Sequence, residues 1–217
     1  MTDQKIEAVL WDFGGVLTTS PFEAFNRYER AKGLPENFLR TVNSTNPDQN
    51  AWAKFERSQV TAEEFDTLFL KESTELGHPV PGSDVIQLLS GDMRPRVIAA
   101  LKAIAEDMPC VCLTNNVSAG KGPGMSRSEE AQKAVLEVMS LFSQVIESSK
   151  IGMRKPDPEI YKYTCEQMGK KPDQILYLDD LGVNLKPAAA MGMKTIKVLN
   201  EDQLLSDLGA ALGRNFS

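Results

Sequence analysis

Ile6-Glu7-Ala8-Val9-Leu10-Trp11-Asp12-Phe13-Gly14-Gly15 is the stretch that decides the fold. It is a nearly unbroken apolar run that stops at an aspartate and a pair of glycines. A run of this kind suits a β-strand covered on both faces. Outward from it, similar runs recur at Cys110–Thr114, closed by Asn115-Asn116, at Gln144–Glu147, at Ile175–Leu178, closed by Asp179-Asp180, and at Thr195–Leu199. Amphipathic stretches lie between them. Arg96–Asp107 reads as a helix feeding the second run. Asp157-Pro158 reads as the N-cap and first residue of another, with Ile160, Tyr161, Thr164, Cys165 and Met168 at helical spacing and Gly169 as its stop. Asn200 and Gln203 resemble a capping box ahead of Leu204, Leu205, Leu208 and Leu212. Short apolar runs alternating with helices predict an α/β fold with a Rossmann-like parallel sheet core and helices on both faces.

Residues 19–91 break the alternation. They hold no convincing strand, but Thr61 and Glu64 form a capping box ahead of Phe65, Leu68 and Phe69, and Phe22, Phe25 and Tyr28 fall on one helical face. Phe38, Trp52 and Phe55 add apolar anchors. So long an excursion exceeds what a crossover between parallel strands needs. The expectation is a core of residues 1–18 and 92–217, with 19–91 inserted as an α-helical cap.

Composition narrows the function classes. The 217 residues carry 24 basic and 30 acidic side chains, a net charge of -6, which argues against a protein that tracks nucleic-acid phosphates. No run of 18 apolar residues exists, so no membrane span is expected. Met1–Lys5 is polar and leads straight into the first run, unlike a secretory signal. Cys110, Cys112 and Cys165 lack a C-x-x-C spacing, and their odd number points to reduced thiols and a cytoplasmic setting. Cys110 and Cys112 point to one strand face and read as packing residues. The single histidine, His78, excludes any mechanism that needs two and reads as a surface residue. Ala119–Gly124 reads as a mobile surface loop, because no Ser or Thr follows Lys121 as a Walker A loop requires. Asp12-Phe13-Gly14 spells a kinase metal motif, but no glycine-rich loop precedes it and no His-Arg-Asp loop follows.

In an open α/β sheet, ligands bind beyond the carboxyl ends of the strands. There the sequence places Asp12, then Thr114 and Asn115, then Asp179 and Asp180, with Lys155 just after the third run. Three carboxylates, an ammonium and a hydroxyl describe a site for a divalent metal and an anion. A hard cation such as Mg²⁺ takes carboxylate oxygens, water and substrate phosphate. A carboxylate can also attack phosphorus, provided positive charge offsets the meeting of two anions.

Trp11-Asp12-Phe13-Gly14-Gly15-Val16-Leu17, Leu113-Thr114-Asn115-Asn116, Arg154-Lys155-Pro156-Asp157-Pro158-Glu159-Ile160-Tyr161 and Leu178-Asp179-Asp180-Leu181-Gly182-Val183-Asn184 resemble, in order, the motifs of the haloacid dehalogenase-like hydrolases. The likeness spans Ala8 to about Val198, and Asp179–Met193 is especially similar to the phosphatase domain of soluble epoxide hydrolases. The resemblance implies a phosphatase of small phosphorylated molecules. Asp12 would be the nucleophile and a metal ligand. Thr114 and Asn115 would hold the phosphoryl group, and Lys155 would steady its charge. Asp180 would ligate Mg²⁺, with Asp179 close by or bound through water. Asn184 would support the acidic turn or touch the phosphoryl group.

One position departs from the pattern. Family phosphatases carry a second aspartate two residues after the nucleophile, which protonates the leaving group and activates water. Gly14 stands there, and reads as a residue that relieves crowding in the turn. Its backbone carbonyl can still ligate metal, but an acid/base worth about 10²–10⁴-fold in rate is missing. Glu56, Arg57 and Glu63 are cap candidates by analogy alone. Three readings stay open: a Mg²⁺-dependent phosphatase, a non-catalytic or very slow binding homologue, and a metal-free 2-haloacid dehalogenase. The acidic pair weighs against the last, since it would repel an anionic haloacid. Oligomeric state is not legible.

Overall fold

The computed structural model describes residues 5–117 and 129–216. Most of Met1–Lys5 and the Ala119–Gly124 loop lie outside the described residues. The elements run β1 (Ala8–Trp11), α1 (Pro21–Lys32), α2 (Phe38–Ser44), α3 (Ala51–Glu56), α4 (Ala62–Glu75), α5 (Gly82–Gln87), α6 (Pro95–Ala105), β2 (Cys110–Thr114), α7 (Glu129–Met139), β3 (Gln144–Glu147), α8 (Ser148–Ile151), α9 (Pro158–Met168), β4 (Ile175–Asp179), α10 (Gly182–Ala190), β5 (Lys194–Lys197) and α11 (Glu201–Leu212).

The five strands form one parallel sheet in the order β3-β2-β1-β4-β5, the Rossmann-like α/β architecture that the alternating runs predict. Every residue of β1, β2 and β4 is buried, which explains their unbroken apolar runs. One face packs Val9, Trp11, Cys110, Cys112, Leu176 and Leu178 against Val97, Leu101, Leu204 and Leu208 of α6 and α11. The other sets Leu10, Val111, Leu113 and Tyr177 against Ile160, Tyr161, Leu185 and Ala188 of α9 and α10. Cys110 and Cys112 are thus packing residues on a single face.

Strand ends differ slightly from the apolar runs. β1 is shorter than Ile6–Phe13 because Phe13 already belongs to a turn, where its carbonyl accepts from the Leu17 amide at 2.9 Å. β5 starts one residue before and ends two residues before the run Thr195–Leu199. Asn200 does cap α11, accepting from the Gln203 amide at 2.9 Å, but the Gln203 side chain reaches back to Leu199 rather than to Asn200. Asp157 occupies the N-cap place of α9 without capping it, since its carboxylate is drawn to Arg57 at 2.9 Å.

The helices between Pro21 and Gln87 surround their own apolar cluster, with Phe25, Phe38, Phe55, Phe65 and Phe69 at its centre. Phe65 stacks on Phe55 at 4.5 Å between ring centroids and meets Trp52 edge-on at 5.8 Å. The Thr61–Glu64 capping box starts α4 as read from the sequence. His78 packs edge-on against Phe38 at 5.2 Å. The chain leaves for this excursion and returns from it side by side. Thr18 and Met93 form an antiparallel bridge, flanked by Thr19 N–H to Asp92 C=O at 2.8 Å and Arg94 N–H to Leu17 C=O at 2.9 Å.

Removing the stacked ring at the centre of this cluster leaves a cavity that rigid aromatic neighbours cannot fill. Phe65→Ala is expected to cost about 3–5 kcal/mol, read as a lower urea midpoint in equilibrium unfolding.

Candidate active site

The sheet order reverses direction at β1. The chain builds outward through β2 and β3, then returns to place β4 on the other side. A crevice opens beyond the carboxyl ends of β1 and β4 at such a switch point. Pairing of Trp11 with Leu178, extended by the Asp12 N–H to Leu178 C=O bond at 2.9 Å, brings Asp12 level with Asp179.

Lys155 lies between them. Its side chain is 1% exposed, and its Nζ donates to Asp12 Oδ1 at 2.8 Å and to Asp179 Oδ2 at 2.9 Å. Asp12 Oδ1 also accepts from the Phe13 amide at 2.7 Å. Asp179 is more heavily engaged. The Tyr177 hydroxyl donates to its Oδ2, the Leu181 amide to its Oδ1 at 2.8 Å, and Asn184 Nδ2 reaches both oxygens at 3.1 Å. Asp180 has one long side-chain bond, from Ser20 Oγ at 3.2 Å.

Electrostatics follow from this burial. Desolvation raises the Asp12 carboxyl well above the usual range against the pull of Lys155, and Asp179 and Asp180 push the same way. Burial and the neighbouring Asp179 lift Asp180 to about 6. Burial alone would lower the Lys155 ammonium, but Asp12 and Asp179 outweigh it and hold the proton on. Three carboxylates thus share one ammonium, a charge set with room for a further cation.

The ligand atoms of Asp12, Asp179 and Asp180 lie within 4.8 Å of one another. Hard oxygen donors at this spacing fit Mg²⁺ or a similar divalent ion. Within the trio, Asp12 and Asp180 carry the freer oxygens, while the donors on Asp179 make it a fixed counter-charge.

Asp12, Gly14, Thr114, Asn115, Lys155, Asp180 and Asn184 all border one cavity of about 720 Å³, so the strand-end residues do converge. Thr114 ends β2 and is buried. One amide has a duty that its motif position did not disclose. Asn115 clamps the lysine loop: its Oδ1 accepts from Lys155 N–H and its Nδ2 donates to Lys155 C=O, both at 2.9 Å. Asn184 spends its Nδ2 on Asp179, and its carbonyl accepts from Tyr161 Oη at 2.7 Å, so it supports the acidic turn.

The rest of the wall is mainly apolar, with Phe22, Phe25, Trp52, Leu89, Met93 and Val135. Glu56, buried in α3, reaches the lysine loop. It accepts from Arg154 Nε and from Asn115 Nδ2 at 3.3 Å; burial raises its carboxyl while Arg154 pulls it back. Arg57 pairs with Asp157, and Glu63, in the first turn of α4, does not border the cavity.

Gly14 does not relieve crowding. A Cβ built there meets nothing within 4 Å. The crowded residue is Gly15, with φ of 79°, where a Cβ would lie 2.2 Å from Asp180 Oδ2. The tight turn after β1 therefore needs its second glycine so that Asp180 can approach.

The doubly wound α/β sheet thus carries an aspartate-centred site at its switch point. The profile of the haloacid dehalogenase-like hydrolases matches residues 6–192, and the chain belongs to that family. It is 30% identical to bifunctional epoxide hydrolase 2 of Mus musculus over 97% of its own length, and spans 40% of that relative. It is 26% identical to the sesquiterpene phosphatase astK of Aspergillus oryzae, over 86% of this chain and 87% of that one. A haloacid dehalogenase family enzyme from Bacteroides thetaiotaomicron, solved with magnesium and inorganic phosphate, shares the fold. Its TM-score is 0.60 at 20% identity, over 90% of this chain and 96% of that chain.

The two glycines separate cleanly by experiment. Gly15→Ala is expected to lose about 1–3 kcal/mol of stability from left-handed strain and the Asp180 clash. Gly14→Ala is expected to stay within about 0.5 kcal/mol of the parent. Urea unfolding of both variants reads the difference.

Proposed function

We propose that the chain is a Mg²⁺-dependent phosphatase of small phosphomonoesters that works through an aspartyl-phosphate on Asp12. Residues 19–91 act as its α-helical cap over a core of 1–18 and 92–217. The observation that carries this reading is the buried Lys155 ammonium bridging Asp12 and Asp179, with Asp180 alongside. An anionic ester that reaches Asp12 meets positive charge already held in place, so no side chain has to reorganise when charge develops.

In this reading Asp12 supplies the attacking oxygen, and Lys155 keeps its proton and offsets the charge of carboxylate and phosphoryl group. The Thr114 hydroxyl donates to a phosphoryl oxygen. Asn115 fixes the lysine loop and Asn184 fixes Asp179, so both act by positioning. The residues that would hold Mg²⁺ are Asp12, Gly14 through its carbonyl, and Asp180, with Asp179 as buried counter-charge. When bound, the ion neutralises phosphoryl oxygens. The apolar wall around Phe22 and Trp52 receives the organic part of the ester. The free thiols of Cys110, Cys112 and Cys165 support a cytoplasmic setting. Among the described residues no helix is long and apolar enough to cross a membrane.

Gly14 supports a second reading, a homologue that binds metal and phosphate without turnover. Phosphate release from an ester panel with Mg²⁺ separates the two: release favours the enzyme. Asp12→Asn is then expected to bring the rate to background, and undiminished release would refute the mechanism. A 2-haloacid dehalogenase fits less well, because Asp180 borders the cavity and, with no metal to offset it, would face an anionic substrate. Chloride release from 2-chloropropionate in chelator is therefore expected to be absent.

Metal uptake has its own readout. Mg²⁺ at about 100 times its Kd is expected to add about 2.7 kcal/mol to the unfolding free energy. Asp180→Asn is expected to remove most of that gain in thermal melts. A gain unchanged in the variant would move the cation elsewhere.

A further inference from the structure

Resting on the phosphatase reading above, we infer that the substrates are phosphates whose leaving group departs as a stable anion, namely acyl and aryl phosphates, rather than alkyl phosphates. The argument starts from the space at Gly14. Two residues beyond the nucleophile, where a proton donor would stand, there is no side chain, and a Cβ placed there meets nothing within 4 Å. Gly14 borders the same cavity as Asp12, and apart from its chain neighbours no described residue comes within 4 Å of that position.

Apart from Asp180, which the reading above assigns to the cation, no described carboxylate or imidazole stands in for the donor. The carboxylates bordering the cavity besides Asp12 and Asp180 are Asp48, Asp92 and Glu56. Asp48 and Asp92 are exposed to solvent. Glu56 is buried, but its carboxylate is taken by the Arg154 guanidinium and the Asn115 amide. His78 packs edge-on against Phe38 and does not border the cavity. Lys155 is shared between two carboxylates and keeps its proton. Residues 118–128 contain no carboxylate or imidazole in their sequence.

The chemistry then selects the ester. In the first step an Asp12 oxygen bonds to phosphorus while the bond from phosphorus to the leaving oxygen breaks, and that oxygen departs with the electron pair. An alkoxide is strongly basic and needs a proton as it leaves; a carboxylate or phenolate does not. In the second step a water oxygen bonds to phosphorus, and the bond to Asp12 breaks with its pair returning to the carboxylate. The water proton passes to a phosphate oxygen. The aspartyl-phosphate is itself an acyl phosphate, so its breakdown meets the same condition without a donor. The wall formed by Phe22, Phe25, Trp52, Leu89 and Met93 fits an aromatic or acyl body better than a polyhydroxylated one.

The test is a series of similar size, 4-nitrophenyl, phenyl and benzyl phosphate, with acetyl phosphate added, each with Mg²⁺ present. The readout is kcat/KM, which reports the first irreversible step, so a slow second step does not mask the trend. The ratio of 4-nitrophenyl to benzyl phosphate is expected to be large, and Gly14→Asp is expected to narrow it by about 10²–10⁴-fold. Equal kcat/KM for phenyl and benzyl phosphate in the parent protein overturns the inference while leaving the phosphatase reading intact. Selective loss of benzyl phosphate turnover in Glu56→Gln also overturns it, by making Glu56 the donor. Turnover of no member of the series sinks both readings. Turnover that survives Asp12→Asn sinks the mechanism that both share.

Discussion

One ammonium inside the protein holds the site together. Lys155 Nζ stands between two carboxylates, out of contact with water, and removing it would leave like charges facing each other in a poorly solvated crevice. Much of the surrounding structure serves that arrangement. Asn115 grips the lysine backbone on both its N–H and its C=O. Tyr177, Leu181 and Asn184 saturate Asp179, and Tyr161 in turn holds Asn184. The sheet contributes by topology: the reversal at β1 sets the ends of β1 and β4 side by side, so residues far apart in sequence meet without a long loop.

The parallel core was legible because its strands are buried on both faces and so leave unbroken apolar runs. The bounds of β2, β3 and α9 follow from the sequence to the residue. The site was legible as a set of strand-end positions, since side chains that share a sheet edge must share a crevice. Partnerships were less legible. Nothing in the spacing tells that Asn115 binds the lysine backbone, and the resemblance left Asn184 between the acidic turn and the phosphoryl group. Glu56 and Arg154 are 98 residues apart, and no periodicity links them. Tyr177 could have been found, because it lies two residues before Asp179 and shares its strand face. Ser20 left no such signal.

The paired glycines show how a motif can be read correctly as a turn and wrongly within it. Both positions look equivalent on paper. Backbone angle and proximity to Asp180 assign the constraint to Gly15, while a side chain at Gly14 would meet open space. The residue that departs from the phosphatase pattern is thus not there to make room. Its meaning lies in what it omits.

The contacts from α3 to the lysine loop carry a mechanical consequence. Glu56 and Arg57, adjacent in sequence, fasten to Arg154 and Asp157, which bracket Lys155-Pro156. Two ion pairs therefore tie the end of α3 to the loop that carries the buried ammonium, and any displacement of one against the other would have to break them or carry the lysine with it.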